Sequence, residues 1–248
     1  MNHSSTPVAL VTGSTRGIGF ETARQLGEAG LRVLVNGRLP EAVEAAAQAL
    51  RAAGVEATPL PFDVTDPAAT ASAAHQVERT VGRLDVLVNN AGIRVEEYHR
   101  APSEQPLEDW RATFESNVLG TVATTQAFLP LLRQAPAARI VNVSSLLGSV
   151  TTHTDRSSYA YSDMFKSLPA YSASKSAVNS WTVHLAYELR DTPIKVNAAH
   201  PGYTQTSMND GAGDQTAAEG ARTAVRLALL PSDGPSGTYA HLDTTLPW

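Results

Sequence analysis

The chain contains no cysteine, which excludes disulfides, thiolate nucleophiles and thiolate metal sites together. Lysine is scarce: only Lys166, Lys175 and Lys195 occur. No run of Lys or Arg exists, and the formal net charge is −5, so no nucleic-acid partner is expected. No apolar run approaches the roughly 20 residues that cross a bilayer, so no membrane partner is expected either. Met1 to Pro7 is short and polar and lacks the parts of a secretory signal, which points to a cytoplasmic protein. None of the seven histidines forms a pair with metal-helix spacing, so no metal site is expected. There is no Gly-x-Ser-x-Gly, which argues against a serine hydrolase.

What is present is enough for a full core. Hydrophobic residues make up 42% of 248, which excludes disorder as the overall state. Apolar, Val-rich runs recur at Val8–Val11, Arg32–Val35, Val55–Leu60, Leu84–Val88, Arg139–Val143, Ile194–Ala198 and Thr238–Leu242. Ala-rich segments with helical spacing lie between them, such as the stripe Trp110, Phe114, Asn117, Val118, Thr121, Val122, Thr125, Phe128, Leu129, Leu132. Gly30, Gly54 and Gly82 follow helical stretches where a left-handed cap belongs. Thr216 with Glu219 reads as a capping box. Strand–helix alternation with strands apolar at nearly every position predicts an α/β fold: a doubly wound parallel sheet of about seven strands, with helices on both faces. The chain, residues 1–248, reads as a single domain. The polar stretch Thr151–Leu168, with scattered aromatics, breaks the rhythm and reads as an insertion.

After the run Val8–Val11 comes Thr12-Gly13-Ser14-Thr15-Arg16-Gly17-Ile18-Gly19 and then a helix through Leu26. Glycines at such a junction permit a tight turn, let the backbone approach a pyrophosphate and let helix and sheet pack closely. The helix N-terminus offers free N–H groups to phosphates. No Gly-Lys-Ser/Thr follows, so this is not a nucleoside-triphosphate loop. The Gly-xxx-Gly-x-Gly spacing resembles that of the short-chain dehydrogenase/reductase family. Asn89-Asn90-Ala91-Gly92 after the fourth strand, Tyr171-Ser-Ala-Ser-Lys175, and Pro201-Gly202 after the sixth strand agree in kind and order. The resemblance runs from about Val8 to the end of the chain and implies a Rossmann-type fold and a nicotinamide cofactor.

The second strand ends Val35-Asn36-Gly37-Arg38, with no acid for an adenosine ribose hydroxyl. Arg38 and Arg16 can form a fork on a 2′-phosphate instead, which favours NADP(H) over NAD(H). The resemblance places the cofactor among Gly13, Thr15, Arg16, Gly17, Ile18, Gly19, Arg38, Asp63, Val64, Asn90, Ala91, Gly92, Tyr171, Lys175, Pro201, Gly202, Thr204 and Thr206. Asp63 also reads as a turn or cap residue, and both roles can coexist.

Tyr171 and Lys175 stand at i and i+4, on one helix face. A phenol titrates near 10, and a neighbouring ammonium favours its ionised form. Tyr171 can then give a proton to a carbonyl oxygen or take one from an alcohol. A Ser hydroxyl is needed on the substrate oxygen. Of Ser144 and Ser145, the family's Ser-x-x-Gly spacing selects Ser145. Asn117 matches the family's catalytic Asn; it sits mid-helix, where Asn is a poor former, and the resemblance implies a helix distortion that places a water linked to Lys175.

From Ser145 to Tyr171 the spacing is about twice the family's usual one. A similar insertion marks the carbonyl-reductase branch, and covering the helix of Tyr171 fits a monomer or dimer. The insertion either offers Tyr159, Tyr161, Met164 or Phe165 to an apolar substrate or is a surface excursion. Residues 202–216 read as a lid, and Leu146, Leu147, Val95, Tyr203 and Met208 as a hydrophobic mouth. The chain ends at Trp248 soon after the last strand, and no extended substrate domain is expected. The expected activity is hydride transfer between NADP(H) and a small, hydrophobic ketone, aldehyde or secondary alcohol. The competing reading is a non-catalytic NADP(H)-binding regulator or redox sensor on the same fold.

Overall fold

A computed structural model describes residues 6–248; most of the polar N-terminal stretch, residues 1–5, lies outside the described residues. Eight strands form one sheet: β1 Val8–Val11, β2 Arg32–Val35, β3 Ala57–Pro59, β4 Val86–Asn89, β5 Arg139–Val143, β6 Lys195–Ala199, β7 Tyr239–His241 and β8 Thr244–Thr245. Their order is β3-β2-β1-β4-β5-β6-β7-β8, parallel except for the last pair. The seven expected strands are all present, shortened or shifted by a residue or two at four of them. The antiparallel β8 is an addition: two exposed residues that turn back on β7.

Both faces of the sheet are covered, and the period-two geometry of a strand divides its apolar residues between them. Val8 and Leu10 point to one side, with α3 (Pro67–Thr80), α5 (Gly120–Leu132) and α8 (Pro169–Glu188). Ala9 and Val11 point to the other, with α1 (Gly17–Glu28), α2 (Pro40–Ala52) and α9 (Ala217–Ala228). The buried strands are therefore apolar at nearly every position, as read from the sequence; Asn89, Asn142 and Asn197 are buried polar residues within β4, β5 and β6. The helix ends follow from local chemistry. Gly30, Gly54 and Gly82 have φ of 92°, 84° and 80°, the left-handed region that glycine adopts without strain. The Thr216–Glu219 capping box opens α9.

The stripe from Trp110 to Leu132 is one continuous helical rod, but not a uniform one. α4 (Leu107–Phe114) runs into a π turn at Glu115–Leu119 before α5 begins. The insertion folds into two short helices, α6 (Val150–Thr154) and α7 (Asp163–Lys166). It has its own small core, in which Leu147, Ala160 and Leu168 pack with Tyr98, Phe165 and Tyr171.

Candidate active site

The chain's chemistry collects where β1 and β4 lie side by side and strand order reverses, the place at which open α/β sheets bind ligands. The loops after these two strands are tied together. A Cβ on Gly13 would come within 2.9 Å of Ala91 Cα, and one on Gly19 within 2.4 Å of both Asn90 Nδ2 and the Gly13 carbonyl. Asn90 donates to the carbonyls of Thr12 (2.9 Å) and Gly13 (3.1 Å), while the Thr12 hydroxyl accepts from Asn90 and Ala91 N–H. The Asn90 side chain thus fastens the turn. Gly17 differs: only the Thr206 methyl lies within 4 Å of its Cβ position, so its face is open. The first turn of α1 has no side-chain cap and no acid, which leaves its N–H groups free for an anion.

Asn36, buried at the end of β2, was legible only as the lack of an acid. It accepts from Gly13 N–H (3.1 Å) and donates to the carbonyls of Leu60 and Phe62 (3.2 and 3.0 Å). It thereby locks the glycine turn to two neighbouring chain segments. Thr15 packs against Gly37, whose Cβ would meet the Thr15 methyl at 2.7 Å. Thr15 and Gly37 are the chain neighbours of Arg16 and Arg38, so the contact brings the backbones of the two arginines together. Both are exposed, and neither has a carboxylate partner among the described residues. Asp63 accepts from Thr65 N–H and hydroxyl at 2.9 and 2.8 Å, the turn role expected of it. Val64 packs against Gly120.

α8 carries Tyr171 and Lys175 on one face. The Lys175 Nζ stands 5.7 Å from the Tyr171 ring centroid and donates to the Val143 carbonyl at 2.8 Å. The Tyr171 phenol and the Ser145 hydroxyl both line one cleft, and against the burial that raises the phenol's pKa Ser145 acts to lower it. Ser145 caps a short turn after β5, accepting from Leu147 N–H at 3.2 Å. Ser144 turns away: it is buried and donates to Asn179 Oδ1 at 2.6 Å. Asn117 lies in the π turn, almost fully buried. Its amide bonds Ile93 N–H (2.7 Å), the Ile93 carbonyl (2.9 Å) and the Ser174 hydroxyl (3.0 Å). Asn117 and Lys175 both approach Gly92. From its Cβ position Asn117 Oδ1 lies at 3.1 Å and Lys175 Nζ at 3.6 Å, so a larger residue there would press on the Asn117 amide.

The electrostatics differ in one respect from the expectation that Lys175 pulls Tyr171 down. Burial dominates and pushes the phenol up to about 12, against weaker downward pulls from the Ser145 hydroxyl and the Arg94 charge. The same burial pushes the Lys175 ammonium down to about 8, so it is charged at neutral pH but poised to lose its proton just above it. Tyr171 is therefore a protonated phenol, a donor, in this structure.

Three residues at the site were missed by sequence reasoning. The Glu96 carboxylate is buried and accepts from Ala170 N–H (2.6 Å) and Tyr171 N–H (2.8 Å), the orphan donors of the first turn of α8. Burial raises its pKa, and the two backbone hydrogen bonds oppose that rise. Arg94 donates to the carbonyls of Met208 and Glu96 and lies 4.3 Å from the Tyr98 ring centroid. His200, in the residue before Pro201-Gly202, is almost fully buried, and its pKa falls to about 3 through burial and the neighbouring His241.

A cleft of about 590 Å³ opens over Ser145 and Tyr171. Ile18, Pro201, Gly202, Thr204 and Thr206 line it, together with the larger side chains Tyr98, Tyr159, Phe165, Tyr203 and Met208. Of the expected apolar mouth, Leu147, Tyr203 and Met208 line the cleft, and Leu146 and Val95 do not. Of the insertion, Tyr159 and Phe165 reach it. Tyr161 does not; it is half exposed beneath the Lys166 ammonium, 5.1 Å from its ring centroid. Met164 is absent from the lining too. The Thr204 hydroxyl is taken up by the Pro201 carbonyl at 3.1 Å, and Thr206 caps the turn Ser207–Asn209. Among the described residues no cluster of His, Asp or Glu could hold a metal, and no helix is long and apolar enough to cross a membrane.

A doubly wound sheet, an open glycine turn at its switch point and a Ser–Tyr–Lys group beside that turn define a dinucleotide-binding oxidoreductase. The comparisons give the family: the short chain dehydrogenase model matches residues 7–217, and the chain belongs to that family. It is 39% identical to "Short-chain dehydrogenase anuI" of Penicillium roqueforti, over 90% of this chain and 88% of that protein. It is 33% identical to (-)-isopiperitenone reductase of Mentha piperita, over 96% and 97%. Among solved structures, salutaridine reductase of Papaver somniferum superposes with a TM-score of 0.81 at 28% identity, covering 96% of this chain and all of that one. A gluconate 5-dehydrogenase of Burkholderia cenocepacia in complex with NADP and tartrate superposes at 0.82 and 28%, over 96% and 93%.

Proposed function

We propose that the protein is an NADP(H)-dependent reductase of ketones or aldehydes, reversible toward secondary alcohols. The observation that carries this reading is that Ser145 and Tyr171 line one cleft together, with Lys175 one helical turn on from Tyr171 and its ammonium 5.7 Å from the phenol ring centroid. Two hydroxyl donors aimed at one point suit a single carbonyl oxygen, whose negative charge grows as it is reduced. Ser145 holds that oxygen. Tyr171 delivers the proton to it, or removes one from an alcohol. Lys175, charged at neutral pH, stabilises the phenolate left behind and is placed to hold ribose hydroxyls. Asn117, fixed in the π turn and facing Lys175 across Gly92, orders the proton supply to that ammonium.

The residues present fit a nicotinamide dinucleotide. The uncapped α1 N-terminus and the open Gly17 face would take the pyrophosphate, and Ile18 with the 201–206 loop would flank the ring. When bound, the cofactor supplies or accepts the hydride. Arg16 and Arg38, gathered by the Thr15–Gly37 contact and free of carboxylates, suit a 2′-phosphate. The NADP complex of the structurally similar gluconate 5-dehydrogenase supports the same choice. The insertion at 151–168, packed against Tyr171, supports a place in the carbonyl-reductase branch. No observation favours the non-catalytic regulator, because Asn117, Ser145, Tyr171 and Lys175 converge. The test is coenzyme oxidation over a panel of ketones, quinones and aldehydes. NADPH is expected to be used at least ~10-fold better than NADH. Turnover with neither coenzyme would overturn the reading, and equal use of both would overturn its cofactor half.

A further inference from the structure

The mechanism above needs one oxygen recognised by Ser145 and Tyr171. The cleft holds a further hydroxyl that it does not use, that of Tyr159 in the insertion. Its ring is clamped: edge-on to Phe165 (centroids 5.5 Å, 64°) and stacked on Tyr203 (6.4 Å, 29°), with Phe165 perpendicular to Tyr203. The hydroxyl lies 3.3 Å from His200 Nε2.

The direction of that hydrogen bond is fixed by the other ring nitrogen. His200 Nδ1 faces the backbone N–H groups of Leu146 (3.2 Å) and Gly202 (3.4 Å). Backbone N–H groups only donate, so Nδ1 is an acceptor and carries no proton. The buried imidazole stays neutral, as its depressed pKa confirms, so its one proton sits on Nε2. Nε2–H therefore donates to Tyr159, and the Tyr159 oxygen accepts. The phenolic proton has no acceptor on the protein among the described residues, and Tyr159, 43% exposed, presents it from the cleft wall. Desolvation of the hydroxyl raises the Tyr159 pKa above the ordinary phenol value although part of the ring faces solvent, so the proton is retained at neutral pH.

We propose that Tyr159, oriented by His200, is a specificity-determining donor for a second oxygen of the substrate, so that the preferred substrates are flat, apolar ketones carrying another carbonyl, ester or ether oxygen. The aromatic walls of Tyr98, Phe165 and Tyr203 suit the apolar body. His200 acts through Tyr159 and is a positioning residue. This inference rests on the reductase reading of the same cleft.

The test uses two ketones of equal length, ethyl benzoylacetate and hexanophenone, which differ in the ester oxygens. The ratio of their kcat/KM values with NADPH is measured for the wild type and for Tyr159→Phe, which keeps the clamped ring and loses only the hydroxyl. A donor facing the second oxygen predicts that the wild-type ratio, ester over plain ketone, falls about 10-fold or more in the variant. Because the ratio is compared between two proteins, intrinsic reactivity of the ketones cancels. Calorimetric binding of the same two ketones to NADP-saturated protein gives a readout that needs no turnover. If neither ketone is reduced yet the binding ratio falls in Tyr159→Phe, the reductase reading fails and the second-oxygen site stands. An unchanged ratio in both measurements overturns the proposal.

Discussion

Glu96 is the strongest handle on α8, the helix that carries Tyr171 and Lys175. α8 begins with Leu168 as its cap residue and Pro169 at its first position, so it brings no capping side chain of its own. Glu96, 74 residues earlier, supplies one carboxylate for Ala170 and Tyr171 N–H. Glu96→Gln keeps the shape and one acceptor, but turns an NH₂ group toward a backbone N–H. The loss is one charge-assisted hydrogen bond, about 1.5–3 kcal/mol, and a buried donor is left unpaired. Relief from burying the charge, which is what raises the Glu96 pKa, offsets part of this. A net destabilisation of about 1–2 kcal/mol is expected, and about 2–4 kcal/mol for Glu96→Ala, which strands both donors. For a domain of this size the Gln variant should melt about 2–8 °C lower. Since one donor belongs to Tyr171 itself, kcat should fall about 10-fold, while NADPH affinity, set by α1 and β2, holds. Calorimetry and steady-state kinetics check both. A Glu96→Gln protein with wild-type melting temperature and kcat would refute the claim that this carboxylate sets Tyr171.

Two further predictions concern charge. His200 has its pKa lowered in the fold, so its contribution to stability is complete above the ordinary value of 6.5 and is lost as pH falls from there toward about 3. At about pH 4.5 the wild type should have lost about 2–3 kcal/mol that His200→Asn does not lose; urea denaturation at that pH and at neutrality checks it, and parallel pH slopes for the two proteins would contradict it. Replacing Arg16 and Arg38 together by Ala should cut the ratio of NADPH to NADH affinity by about 10-fold or more, measured by fluorescence titration, and an unaltered ratio would remove the 2′-phosphate from their neighbourhood.

Much of this architecture is legible in the sequence because it rests on local signals. Strands apolar at nearly every position, glycines in left-handed caps and the Thr216–Glu219 box each act within a few residues. The Tyr171–Lys175 spacing and the Ser-x-x-Gly turn are local as well, and the structure puts Ser145 and Tyr171 on one cleft. Asn117 was readable as a misfit in a helix, and the π turn is what that misfit becomes. What the sequence hides is partnership over distance. Glu96 meets α8 across 74 residues and His200 meets Leu146 across 54, with no spacing rule to announce either. Arg94 is hidden in the same way, since Met208 lies 114 residues on. The balance at Tyr171 was also out of reach, because burial of the phenol is a property of the packed insertion and cleft. β8 escaped because two residues are too short a run to show a strand period, although threonine itself favours strands.

The central claim, that Tyr171 moves the proton in a reaction for which the rest of the site only prepares, is tested most directly by Tyr171→Phe. NADPH binding should match the wild type in a fluorescence titration, while NADPH oxidation with a ketone that the wild type reduces well falls by about three orders of magnitude or more. Oxidation at the wild-type rate by the phenylalanine variant would contradict the account.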